Sequence, residues 1–317
     1  MWKVWENIQT KCSSSINGHR ESRKRTAMKD TKQKIEKYLD DFAAGRIKMG
    51  ERVGISKLDN HLRYKQGQFN LINGFDNVGK TTWIAWYLLL QILKNDKKIA
   101  IWSGENHEGT TPRWMVQFYC GEKFKDISKQ KRYNAQARIL DSLQIADNSN
   151  VYKPDELFAW FKETDADICL IDPFTGLNRN TSHDANYQFL NESRQFVNTS
   201  GKTLYVNTHP NTAAAREKYG DGDMVYGHPV IGEQKAPGRE NTEGGQPFAN
   251  RPDDIITIHR FTSHEQLRNL VQVHVRKVKD IETGGRVTSF NDPVWLDWND
   301  GLGFKCHETQ QQPIEYF

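Results

Sequence analysis

The residues Gly74-Phe75-Asp76-Asn77-Val78-Gly79-Lys80-Thr81 fit G-x-x-x-x-G-K-[ST] at every defined position. That spacing suits the holding of a phosphate chain. The glycines let the backbone wrap until its N–H groups converge on one phosphate. A helix beginning near Lys80 adds the partial positive charge of its N-terminus. Lys80 reaches the β- and γ-phosphates, and the Thr81 hydroxyl is offered to Mg²⁺. With Gly74, Gly79, Lys80 and Thr81, the residues Asp76, Asn77, Val78 and Thr82 make up the expected nucleotide-binding set. The chemistry this implies is use of ATP with Mg²⁺ as cofactor.

Four other places carry side chains that such chemistry needs. Cys169-Leu-Ile-Asp172 ends an apolar run with a carboxylate suited to holding Mg²⁺ through water. Read alone, an Asp there is also a turn former. Glu105 follows the run Ile99–Trp102, read as the strand beside the loop's own strand, where a carboxylate orients and activates the attacking water. Its bland reading is an ordinary loop glutamate. His209, in Thr208-His209-Pro210, is placed to touch the γ-phosphate, or else is a surface histidine before a turn. Arg276-Lys277-Val278-Lys279 ends the last apolar run. Lys277 and Lys279 share one face there and offer charge to a neighbouring subunit's γ-phosphate, with Arg276 on the other face. The alternative is a solvated edge strand guarded by lysine.

These residues need a scaffold that aligns strand ends. Gln68–Asn73, Lys98–Trp102, Asp167–Asp172, Lys202–Thr208, Asp254–His259 and Leu270–Val278 read as strands. Helices are expected over Lys80–Lys94, Pro154–Thr164 and Ala185–Ser200, with two or three more filling Thr111–Asp147. Alternation of this kind gives an α/β layered sheet, mostly parallel, with helices on both faces. Near-continuous apolar runs agree with strands covered on both sides. Pro210–Pro252 is a long Gly-rich stretch without periodicity, of the kind that is functional or disordered inside a compact domain. Before the sheet, Ile35, Tyr38, Leu39 and Phe42 fall on one face of a helix beginning near Lys29 and stopped at Gly45.

Composition bounds the rest. A chain of 317 residues can bury a core without disulfides. The four cysteines form no CxxC pair, so a disulfide framework or zinc ribbon is not expected. The apolar stretch Trp83–Leu93 is too short to span a bilayer, and no membrane partner is expected. Residues 1–70 carry 16 Lys/Arg against 8 Asp/Glu, a balance of +8, while the whole chain is only +4. Such a basic lead-in suits nucleic acid, or is simply solvated. The organisation expected is a basic flexible arm with an amphipathic linker helix over 1–48, then a catalytic core over 49–317.

Taken together, these motifs resemble the RecA-like motor domain of DnaB-type replicative helicases, in the Twinkle and bacteriophage primase-helicase branch, over about residues 50–290. Gly54-Ile-Ser-Lys-Leu-Asp59 looks like that family's opening motif, His209-Pro210 like its γ-phosphate sensor, and Asp253-Asp254-Ile-Ile256 like its fourth motif. The resemblance implies a RecA-like P-loop NTPase core preceded by a short helical arm. It implies ATP-dependent DNA unwinding by a ring, a hexamer, that moves on single-stranded DNA during replication. Glu105 becomes the catalytic base. Parts of Phe174–Asn186 and Pro210–Asn250 become channel loops, with Arg216, Lys235 and Arg239 as phosphate contacts. The family's Lys-x-Arg finger reads Lys277-Val-Lys279 here, and lysine lacks the planar fork of arginine. No priming module lies upstream, so a separate primase or loader is the implied partner. The expected setting is a bacterial or viral cytoplasm. A mitochondrial one fits less well, since Glu6 and Glu21 interrupt a transit-like N-terminus. Two other functions share the same motifs: a RecA/RadA-type recombinase filament, and a non-unwinding DNA-dependent ATPase or loader.

Overall fold

The computed structural model describes residues 30–47 and 49–315, so the basic lead-in before residue 30 lies outside the described residues. The chain divides into a unit ending at Met49 and a unit beginning at Gly50. In the first, residues 30–43 form helix α1, and Gly45 follows it at φ +66°. Ile35, Tyr38, Leu39 and Phe42 are all exposed.

The second unit opens with a single turn, α2 (Ser56–Asp59), whose Asp59 carboxylate accepts the N–H groups of Val53 and Gly54. In chain order there follow β1 (Phe69–Asn73), α3 (Lys80–Asn95), β2 (Ile99–Ser103), α4 (Thr110–Cys120) and α5 (Lys129–Leu140). Next come β3 (Leu143–Ile145), α6 (Pro154–Glu163), β4 (Ile168–Asp172), α7 (His183–Ser200) and β5 (Thr203–Asn207). The chain ends with β6 (Met224–Val225), β7 (His228–Pro229), α8 (Gln246–Asn250), β8 (Asp254–Arg260), β9 (Leu270–Lys277), β10 (Val294–Trp298) and β11 (Phe304–Cys306).

Nine strands form one sheet in the order β11-β10-β9-β8-β1-β5-β4-β2-β3. From β8 to β3 all pairs are parallel, and β9, β10 and β11 extend the sheet antiparallel. Period two explains the two-sided burial. On β1, Ile72 faces the core under α3, α4 and α5, while Phe69 and Leu71 face the core under α6, α7 and α8. All five residues of β1, β2, β4 and β5 are therefore buried.

Three expectations are corrected. Thr111–Asp147 holds two helices and the short strand β3, which adds a parallel edge beside β2. β10 and β11 lengthen the sheet beyond the six strands read from sequence. Pro210–Pro252 is ordered rather than a plain loop: Lys218 bridges Gln234 antiparallel, β6 pairs with β7, and Pro210 bridges Thr242. Main-chain pairing replaces side-chain periodicity there, which hides the structure from a hydrophobicity reading.

Candidate functional site: a nucleotide pocket at the strand ends

Parallel strands leave their C-terminal ends on one side of the sheet, and loops there line crevices. β1 ends at Asn73, whose Oδ1 accepts the Gly74 N–H at 2.9 Å and turns the chain into the loop. A Cβ on Gly74 would lie 2.4 Å from the Ile258 carbonyl oxygen of the neighbouring strand, so only glycine fits. Gly79 has φ +93° and begins α3. Gly74→Ala is thus expected to push the loop off β8. At about 1–3 kcal/mol for such overpacking, nucleotide affinity should fall roughly 10–100-fold by titration, with the far-UV spectrum kept.

The loop walls one side of a cavity of about 750 Å³. Asp76, Asn77, Val78, Gly79, Lys80, Thr81 and Thr82 all line it, and so do Glu105, Asp172 and His209. Every expected nucleotide-set residue except Gly74 therefore faces the cavity, and Gly74 forms the turn behind it. Lys80 is buried, and its ammonium donates to the carbonyls of Gly74 (2.7 Å) and Phe75 (2.9 Å). Burial pulls its pKa down, while Asp76, Asp172 and Glu105 pull the other way. Asp172 is 3% exposed, accepts from Asn207 Nδ2 at 2.6 Å, and is also hydrogen-bonded by Thr81. Burial nevertheless raises its carboxyl above the usual range, against the pull of Asn207, Thr81 and Lys80. A hydroxyl and a carboxylate meeting in this way are hard oxygen donors, which fit Mg²⁺.

His209 Nδ1 lies 2.9 Å from Asp76 Oδ1 and 3.4 Å from Lys80 Nζ. A protonated Nδ1 donates to Asp76 and cannot also accept from Lys80, so the shorter contact sets the tautomer. His209 thus joins the end of β5 to the loop. Glu105 is exposed two residues beyond β2. Here the reason given from sequence is corrected: β2 is not beside β1, because β5 and β4 lie between them. Glu105 reaches the cavity because Ser103 pairs with Asp172, which sets the end of β2 against the end of β4.

Lys277 and Lys279 are not brought to this cavity. Lys277 pairs with Ile255 near the start of β8, whereas the loop leaves the end of β1. The Lys277 ammonium donates to the carbonyls of Ala249, Asn250 and Pro252 at 3.3, 2.7 and 2.7 Å. Lys279 pairs with Asp253 at 2.9 Å. Arg276 lies over the Phe290 ring and donates to Ala236. Arg216 and Arg239 are exposed, and Lys235 lies 5.4 Å above the Tyr219 ring.

Sequence reasoning missed one side of the cavity. Arg260, the last residue of β8, donates to the Asn77 carbonyl at 3.0 Å, and no carboxylate counters the burial that lowers its pKa. Trp114, Val271, Trp298 and Phe304 add an apolar lining to the cavity. Only strand order could have found Val271, Trp298 and Phe304, since β9, β10 and β11 join this end of the sheet solely through pairing, while Trp114 comes from α4.

Two solved structures share this fold. One is an ATPase domain, matched with a TM-score of 0.66 at 14% identity, over 86% of this chain and 97% of that one. The other is a DnaB-like replicative helicase, described with its interactions with primase, matched at 0.64 and 14% identity, over 86% of this chain and 65% of that one. No family model matches the sequence, and no curated protein does. The fold is therefore the RecA-like one of DnaB-type helicase motor domains, as the motifs implied, and nothing in these matches selects the Twinkle branch.

Proposed function

We propose that this chain is an ATP-hydrolysing motor of the helicase type, which assembles as a ring, in a hexamer, and moves along single-stranded DNA. The observation that carries the reading is the convergence of Lys80, Thr81, Asp172, Glu105 and His209 on one cavity, with His209 leading directly into the long segment after β5. The likeness to the solved ATPase domain and to the DnaB-like replicative helicase supports it at the level of fold.

In this reading the loop N–H groups and Lys80 bind the triphosphate. Thr81 and Asp172 hold Mg²⁺, which when bound neutralises phosphate charge. Glu105 orients the attacking water, and Arg260 with the Trp298 side closes the far end around the base and ribose. His209 senses the γ-phosphate and passes its loss to the segment beyond. Lys277 and Lys279 lie outside their own cavity, bonded to three carbonyls and to Asp253, so acting on a neighbouring protomer's γ-phosphate requires them to exchange these partners on assembly. Replication supplies the setting, in a bacterial or viral cytoplasm, with a separate primase or loader as partner. No helix among the described residues is long and apolar enough to cross a membrane.

A strand-displacement assay tests the reading. The wild-type protein should unwind a forked duplex only with ATP and Mg²⁺, and single-stranded DNA should stimulate its hydrolysis severalfold. Lys80→Ala should do neither. Wild-type protein that assembles yet hydrolyses ATP indifferently to DNA would reject the motor.

A further inference from the structure

β5 ends on a polar residue that packing alone does not explain. Asn207 is fully buried, in a strand whose five residues are all buried. Period two places it with Tyr205 on the face under α3, and Asp172 with Leu170 on the same face of β4. Asn207 is in register with Ile72 of β1 on one side. On the other, the pairing of Val206 with Ile171 carries it beside Asp172. An apolar side chain would fill such a place without penalty, whereas a buried amide needs partners at both of its ends. Asn207 has one. Its Nδ2 donates to Asp172 Oδ1 at 2.6 Å, while its Oδ1 is buried with no hydrogen-bond partner among the described residues. Turning the amide over does not help, because its oxygen would then face a carboxylate oxygen, acceptor against acceptor. Asparagine is thus held here for the bond it makes and not for the stability it gives.

What that bond does follows from the carboxylate. Asp172 lines the cavity, and Asn207 stands behind it. One carboxylate oxygen is taken by Asn207, and the Thr81 hydroxyl also bonds to the group. Thr81 alone fixes it poorly, since a hydroxyl rotates to suit its partner. Asn207 is different: its backbone is clamped between β1 and β4 by parallel pairing, and its planar amide has a single useful direction. A donor of this kind sets the rotation of the carboxylate and leaves the second oxygen to point elsewhere.

We propose that Asn207 is a positioning residue for Mg²⁺, whose amide fixes Asp172 so that the free carboxylate oxygen is presented to the metal or to its water. The inference rests on the reading above in one respect only, the assignment of Thr81 and Asp172 as the metal's holders. Asn207 acts through Asp172 and not on the nucleotide. The same strand end leads two residues on to His209, at Asp76 and Lys80, so β5 ties the metal carboxylate to the nucleotide loop.

Asn207→Leu removes the donor and the unpartnered oxygen together. Affinity for a fluorescent ATP analogue is measured first in EDTA and then across a Mg²⁺ titration. In EDTA the variant should bind as the wild type does. Half-saturation by Mg²⁺ should rise roughly 10–100-fold, the scale on which loss of an outer partner weakens a metal site. Asn207→Ala, which removes the donor without adding bulk, should show the same shift and decides the point if the leucine variant does not fold. Asp172→Asn supplies the control for mechanism. In that background Asn207→Leu should move half-saturation by less than about twofold, because the group it positions is gone. An equal shift in both backgrounds would overturn the proposal, and so would a wild-type Mg²⁺ dependence in Asn207→Ala or a loss of binding in EDTA. Wild-type binding indifferent to Mg²⁺ would defeat the metal assignment itself, and this inference with it. Failure of strand displacement would reject the motor while leaving the Mg²⁺ shift, which is read from binding alone, as the test of Asn207.

Discussion

Glu105→Gln is expected to bind ATP as the wild type does and to turn it over on the order of 10²–10⁴ times more slowly. Three carboxylates line the cavity, and two are committed. Asp76 is held by His209, and Asp172 by Asn207 and Thr81. Among the described residues no hydrogen bond holds the Glu105 carboxylate, and it is exposed on the rim of the cavity. That leaves it free to accept a hydrogen bond from a water aimed at the γ-phosphate. Glutamine keeps the volume and the hydrogen-bonding reach but cannot take a proton. The loss should therefore fall on kcat, with nucleotide affinity intact by direct titration. Lys80→Ala behaves in the opposite way, because its ammonium is part of the binding site itself. Asp76→Asn should slow turnover only slightly, since Asn can still accept from His209. If Glu105→Gln were within a few-fold of wild type while Asp76→Asn lost activity, the base would have to be moved to Asp76.

The strength of that assignment depends on which parts of the site are local in sequence. The strand, loop and helix from Phe69 to Asn95 are contiguous, and each piece has a strong local signal: an apolar run, a glycine pair at fixed spacing, and a second apolar run of helical length. Asp172 and His209 are legible for a similar reason, as polar residues ending apolar strands. Glu105 lines the cavity by a route that sequence does not display, because adjacency of strands in space is not adjacency in sequence. The same blindness hides Arg260, which bonds to Asn77 across 183 positions of chain. β3 and β11 have three residues each, too few for a period to show, and β10 carries Trp298 toward the cavity with Asp297 beside it. The hairpin after β5 is unreadable because its order comes from main-chain bridges. In the Lys277-Val-Lys279 motif, sequence states the charge but not its partners, and the partners show Lys277 capping carbonyls at the end of α8.

Those partners also expose an acid that is left uncompensated, and it yields the second large effect. Asp254, the first residue of β8, is 1% exposed and in register with Asn70 of β1. Only the Lys279 backbone N–H reaches its Oδ1, at 3.3 Å. Lys277 is spent on three carbonyls, and Lys65 pairs with Asp280. The adjacent Asp253 differs in its bonds: burial would raise it too, but Arg194 at 2.7 Å and Lys279 at 2.9 Å outweigh burial and hold it below the usual range. For Asp254, burial wins and its pKa is pushed up to about 7 from an ordinary 3.8. The folded protein therefore keeps a proton that the unfolded chain has lost across that window. Stability is fully present below about pH 4 and falls as the pH rises toward 7. The total cost is about 4 kcal/mol, at roughly 1.36 kcal/mol for each pH unit that separates the folded from the unfolded pKa. Asp254→Asn cannot ionise and keeps an oxygen for the Lys279 N–H. Its gain in stability over wild type should grow by about 3 kcal/mol between pH 5 and pH 8, measured by denaturant midpoints at both values. A gain that is the same at both would mean that Asp254 titrates near 4, as an exposed acid does, and that its surroundings are wetter than its burial indicates. A gain of the expected size, joined to a loss of hydrolysis in the Asn variant, would show that the carboxylate is kept for work at the Lys277–Lys279 end of the sheet and at the expense of stability.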